Sequence, residues 1–237
     1  MFYVLALIAE IIGTISGFGS SILFVPIASI FFEFHIVLGI TAIFHVFSNL
    51  SKIYLFKNKV DKNIIIKLGV PAVVFVIIGA LLSKFVPQKE LELFMNFFLV
   101  IIAILLIKHS SIKIDQTDKN LFLGGSISGF LAGLIGSGGS IRGLTLSAFQ
   151  LEKDIFITTS AIIDLGVDTS RAIVYYFNGY IHSDYLFMLP ILFIVSILGS
   201  WIGKKILQYI SENLFKYIVL SVILLTAIIQ VIKYIKF

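Results

Sequence analysis

The chain has no cysteine, one tryptophan and four prolines among its 237 residues. Without cysteine there are no disulfides, no thiol chemistry and no cysteine-ligated metal. Charge is scarce as well: 13% of residues are charged, against about 25% in an ordinary soluble domain. Only two residues are arginines, Arg142 and Arg171. There is no H-E-x-x-H metal motif, no ATP-binding loop and no plausible catalytic Ser/His pair on one helix, which argues against an enzyme and against a nucleotide-driven pump. No cofactor and no metal is expected.

What is abundant is apolar. Hydrophobic residues make up 59% of the chain and the mean hydropathy is +1.07. This is the composition of an integral membrane protein with no room for a separate soluble domain. The net charge of +5 comes mostly from lysines in short loops, a pattern of topology rather than of nucleic-acid binding. Met1–Ile12 lacks a basic leader and runs into a glycine-rich stretch, so it is expected to be the first membrane segment.

Eight apolar segments follow in order: Phe2–Phe32, His35–Phe56, Ile64–Val86, Leu91–Ile107, Leu121–Phe149, Ile155–Phe177, Tyr185–Leu207 and Leu214–Ile235. The polar run Lys108–Asn120 divides them four and four. The expected fold is an all-α polytopic membrane protein: repeat one at 1–107, a connector at 108–120 and repeat two at 121–237. The halves align residue by residue. Gly13, Ile15, Gly19 and Ser20 match Gly133, Ile135, Gly139 and Ser140 at a spacing of 120. Ser51, Lys52 and Pro71 match Ser170, Arg171 and Pro190 at 119. Duplications of this kind are common in secondary transporters.

The first segment of each half is broken. Gly13–Ile27 reads GTISGFGSSILFVPI, and Leu121–Phe149 is interrupted at Gly136, Ser137, Gly138, Gly139 and Ser140. As one straight helix the 31 residues of Phe2–Phe32 would be about 46 Å long, against an apolar bilayer core of about 30 Å. Two half-helices meeting in a re-entrant V fit the length better, and irregular backbone at that depth needs protein or a wet cavity around it. With Vs, Lys57, Lys59, Lys62, Lys108, Lys113, Lys119, Lys153, Lys204 and Lys205 share one side of the membrane. Lys84, Lys89, Lys233 and Lys236 share the other, nine against four. Full spans would give parallel repeats and eight against five. The positive-inside rule therefore favours inverted repeats with both termini outside.

Charges inside apolar spans are costly and mark function or helix pairing. Asp164, Asp168 and Arg171 fall on one helix face, and the aligned places in repeat one hold His45, Asn49 and Lys52. Asp168 and Arg171 pairing only to join helices is the structural alternative. Arg142, two residues beyond the glycine break, has no acid within one turn. Its planar fork suits an oxyanion, and the helix starts after Gly19–Ser20 and Gly139–Ser140 add partial positive charge. The expected anion site comprises Gly19, Ser20, Asn49, Ser137, Gly138, Gly139, Ser140, Arg142, Asp168 and Arg171. Glu10, His45 and Asp164 are candidates for proton coupling. Gly125, Gly129 and Gly133, four apart, fit close helix packing instead.

The paired motifs GTISGFGSSILFVPI and GLIGSGGSIRGLTLS, each followed by a span with a mid-membrane polar residue, resemble the sulfite exporter TauE/SafE family of membrane permeases. The resemblance covers essentially the whole chain. It departs at Phe18, where a glycine is common, and at Arg142, where an apolar residue is common. It implies transport of sulfite, thiosulfate or organosulfur anions across the cell membrane, often as export. A channel or permease for another small anion or carboxylate is the alternative within transport, and a structural subunit of a membrane complex the alternative outside it. The expected partners are the bilayer and a small anion. Nucleic acid is not expected, and a homo-oligomer is compatible with the sequence.

Overall fold

The computed structural model describes residues 1–17, 19–57, 60–91, 93–95, 97–98, 101, 115–149, 151–211, 214, 217 and 221, with the backbone alone at 140, 144, 147 and 148. Phe18, most of the connector, and most of the expected segments Leu91–Ile107 and Leu214–Ile235 lie outside the described residues. The protein is all-helical, with no strand among the described residues. In chain order the helices are α1 (Phe2–Ser16), α2 (Ser21–Ala28), α3 (Phe34–Phe56), α4 (Lys62–Ser83), α5 (Asp118–Ile135), α6 (Gly139–Ala148), α7 (Lys153–Phe177) and α8 (Met188–Leu207). Of these, α3, α4 and α8 are long and apolar enough to cross a membrane.

Local chemistry sets the boundaries. Asp61 caps α4 by accepting the Ile64 N–H at 3.0 Å, and Thr117 caps α5 by accepting the Asn120 N–H at 3.3 Å, the usual answer to unpaired N–H groups at a helix start. Within α4, Ile65–Gly69 widens into a π-turn just ahead of Pro71. Proline donates no N–H and crowds the preceding turn, and a wider turn relieves both. α1 ends at Gly17 with φ 72°, its N–H bonded to the Gly13 carbonyl. α5 ends at Gly136 with φ 76°, its N–H bonded to the Ala132 carbonyl. Only glycine takes this left-handed cap without strain, and the two caps lie 119 residues apart.

Both broken stretches double back. Phe2, at the start of the first, packs its ring against Phe24, Phe31 and Phe32 beyond the break. In the second, Gly124 lies against Thr145, and a Cβ on Gly138 would sit 1.9 Å from the Ser128 carbonyl oxygen. The halves also exchange partners. α1 packs on α8, with Glu10 at Gly199 and Thr14 at Gly203. α5 packs on α4, where Cβ atoms on Gly125, Gly129 and Gly133 would meet the carbonyls of Leu68, Ala72 and Val76 at 2.1–2.2 Å. Residue numbers rise together in both pairs, so each pair runs parallel. The glycine stripe of α5 thus allows backbone-to-backbone packing, as its fourfold spacing predicts.

Candidate functional site

α3 and α7 cross at the centre of the molecule. The crossing is antiparallel: His45 faces Arg171, and further along α3 Asn49 meets Asp168. Asn49 donates to Asp168 Oδ2 at 2.7 Å. These two residues are the aligned positions of the repeat, and each touches its own counterpart. The polar stripes of both helices therefore face each other and not lipid, as intramembrane charge requires.

Three ion pairs, all buried, surround this crossing. In the first, Lys52 meets Glu10 Oε1 at 3.0 Å. Glu10 also accepts from the hydroxyls of Ser48 (2.6 Å), Ser20 (2.6 Å), Ser200 (3.1 Å) and Thr14 (3.2 Å). One carboxylate thus ties together α1, the start of α2, α3 and α8. In the second pair, Arg171 meets Asp168 at 2.7 Å. Arg171 Nη1 donates to the carbonyls of Ala132 (3.2 Å) and Gly136 (3.1 Å) at the end of α5, and Nη2 lies 3.2 Å from His45 Nδ1. A guanidinium can only donate, so His45 Nδ1 accepts and its N–H is on Nε2, aimed at Ser20 Oγ 3.0 Å away. In the third pair, Arg142 of α6 meets Asp164 of α7. Ser160 braces both, at 3.4 Å from Arg142 Nε and 3.3 Å from Asp164 Oδ2.

All three pairs contribute to a central cavity of about 20 Å³, room for about one water. Its wall combines the helix starts at Ser20–Ser21 and Gly138–Gly139 with Lys52, Arg142 and Arg171. Buried Arg171 Nε has no hydrogen-bond partner among the described residues. An adjoining cavity of about 10 Å³ is lined by Thr14, Gly17, Lys52, Ser160 and Asp164. The arrangement brings three cations, two helix starts and the carboxylates of Asp164 and Asp168 around one space. Guanidinium forks and helix starts are donors of the kind that hold an oxyanion.

Of the residues expected at the site, Gly19, Ser20, Asn49, Gly138, Gly139, Arg142, Asp168 and Arg171 line the central cavity, with His45 and Asp164. Glu10 and Ser137 are fully buried but do not line it. The Ser140 side chain lies outside what is described. The acid missing from the sequence neighbourhood of Arg142 is Asp164, delivered by another helix. Sequence reasoning placed Lys52 on the polar stripe but not in the site, and it missed Ser48, Ser160 and Ser200. The alignment of Lys52 with Arg171 was the available signal for the first; lone serines in apolar helices carry none.

The family model for the sulfite exporter TauE/SafE matches residues 2–229. A "probable membrane transporter protein" of Methanocaldococcus jannaschii is 29% identical over 245 aligned positions, covering 93% of this chain and 90% of that protein. No solved structure matches the chain. With nearly its whole length matched by one family model, the chain is a membrane protein belonging to the sulfite exporter TauE/SafE family.

Proposed function

We propose that this protein is a secondary transporter of the cell membrane that carries a small oxyanion of the sulfite, thiosulfate or organosulfonate class. The anion binds at the central cavity, between two inverted repeats at 1–107 and 121–237. The observation that carries this reading is the convergence of Lys52, Arg142, Arg171 and two helix starts on one buried space. Each repeat supplies one helix start, so the site belongs to neither half alone. The matched family and the transporter relative point the same way.

The inverted arrangement has its own support. Parallel repeats would run the aligned helices α3 and α7 in the same direction; they run oppositely. α1 pairs with α8 as α5 pairs with α4, the exchange that a twofold axis through Asn49 and Asp168 requires. Broken stretches that return toward their own start act as re-entrant Vs, leaving three crossings per repeat. Single cysteines at Lys57, Lys119 and Ser211 should then all label from the cytoplasmic side. Labelling at Ser211 from outside, with the other two inside, contradicts inversion.

Transport itself is tested in proteoliposomes. Purified protein should carry sulfite or thiosulfate with saturable kinetics, and flux should fall in Arg142→Gln. Non-saturating conductance would instead favour a channel. Absence of any anion flux or binding in protein that is folded would favour a structural subunit.

A further inference from the structure

The charges of the site balance. Lys52, Arg142 and Arg171 face Glu10, Asp168 and Asp164, each cation with its own carboxylate. A buried anion entering this neutral cluster adds an uncompensated charge in a low-dielectric place. It must therefore displace a carboxylate from its cation, bring a cation with it, or both. We propose that the oxyanion takes the place of the Asp164 carboxylate on Arg142, and that Asp164 accepts one proton from water as it is released, so that anion and proton are bound together. The inference rests on the transport reading above and adds the coupling ion and the residue that carries it.

Geometry singles out Asp164 among the three acids. Glu10 is held by Lys52 and four hydroxyls, three of them on other stretches. Neutralising it would leave that many donors around an uncharged acid, each a lost charge-assisted bond. Asp168 is held from both repeats, by Arg171 and by Asn49 at 2.7 Å. Arg171 in turn holds the end of α5 through two carbonyls. Releasing Asp168 would disturb the helix crossing itself.

Among the described residues Asp164 has one paired cation and one long bond, from Ser160 at 3.3 Å. It lines both cavities. Arg142, its partner, sits on the short arm α6, and among the described residues its guanidinium bonds Asp164 and Ser160 and no backbone carbonyl. The other charges around Asp164 are Lys52 and His45 from α3, Arg142 from α6, and Asp168 and Arg171 on α7.

His45 is set apart by its bonding. Arg171 Nη2 donates to its Nδ1, and a second ring proton would set two donors face to face. The ring instead links Arg171 to Ser20 and Ser20 to Glu10. It joins the fixed part of the site, and the replaceable part is Arg142 with Asp164. The central cavity holds about one water as described. Swinging Asp164 away supplies both the room and the cation that an oxyanion needs.

The proton balance is explicit. One proton leaves bulk water and ends on an Asp164 carboxyl oxygen; the anion gains the Arg142 N–H donors that carboxylate gives up. A monovalent anion then enters with no change in the site's net charge, and a divalent one such as thiosulfate adds one negative charge in place of two. By linkage the bound state holds one more proton, so affinity strengthens as pH falls, by about tenfold per pH unit while Asp164 is ionised in the free protein.

The test is calorimetry of thiosulfate binding to the purified full-length protein, because the charge of thiosulfate does not change near neutral pH. Titrations in buffers of different ionisation heat count the protons exchanged. We expect about one proton taken up per anion by the wild type and none by Asp164→Asn. Asp164→Asn should also bind thiosulfate with little pH dependence, and its flux should no longer respond to a pH gradient. Binding without proton uptake in the wild type overturns the inference, and so does uptake undiminished in Asp164→Asn. Should that variant fail to fold, the wild-type proton count and the pH slope of its affinity decide by themselves. If the wild type binds neither thiosulfate nor sulfite at any pH, it is the anion-transport reading that fails.

Discussion

Two ion-pair clusters flank the same helix crossing and are built differently. In repeat one, Glu10 and Lys52 form a closed knot with Ser20, Ser48, Thr14 and Ser200, in which the carboxylate is fully enclosed. In repeat two, Arg142 and Asp164 face the cavity, and among the described residues Ser160 alone braces them. The difference is one of saturation. A carboxylate with five donors holds helices together, whereas a pair with few other bonds can exchange a partner for a ligand.

The most damaging change should be in the closed knot. Glu10→Ala removes the partner of buried Lys52 and of four hydroxyls. Breaking a buried pair from one side costs about 3–5 kcal/mol. We expect little folded protein, read as yield and as melting temperature in detergent. A Glu10→Ala protein as stable as wild type would erase the contrast between the halves.

Next in size is the central pair. Asp168→Ala strands Arg171, and Arg171→Ala strands Asp168 and takes one donor each from the carbonyls of Ala132 and Gly136. Each should lower melting temperature strongly, and the double variant should be milder than the sum of the two, because residues in one network are not additive. If the double variant is as stable as wild type but inactive in flux, the pair contributes to transport beyond joining helices. Additive losses would show that they act separately.

The smallest expected effect is at Ser20. Ser20→Ala removes one of several donors to Glu10 and the hydroxyl that meets His45. The N–H groups starting α2 remain, so anion binding should weaken only by a few-fold, near the about 1 kcal/mol of an ordinary hydrogen bond. Loss of binding as large as in an Arg142 variant would place the ligand on the repeat-one side of the cavity.

Much of this was legible in the amino-acid order, for physical reasons that can be named. Glycine marks a break wherever φ must be positive, and Gly17 and Gly136 are such places. Charge in an apolar run cannot face lipid, so His45, Asn49, Lys52, Asp164, Asp168 and Arg171 announced the buried crossing. The repeat spacing of 119 even matched Asn49 with the residue it touches. Partnerships between helices were not legible. Spacing reports neighbours on one helix only, and Arg142 therefore looked unpaired although α7 carries Asp164 to it. Glu10 looked like a lone carboxylate near the break, and its bonds to Lys52 and Ser200 exist only once α1, α3 and α8 are packed.

The central claim, an oxyanion held on Arg142 between the repeats, is tested most directly by thermal unfolding with and without thiosulfate. A ligand that binds only the folded state raises the melting temperature in proportion to its occupancy. Losing one charge-assisted hydrogen bond, about 1.5–3 kcal/mol, weakens binding by roughly 10- to 150-fold. The account predicts a thiosulfate-induced rise in the wild type, a smaller one in Arg142→Lys, which keeps the charge without the fork, and the least in Arg142→Gln. An Arg142→Gln protein that folds normally and keeps the full thiosulfate-induced rise would contradict it.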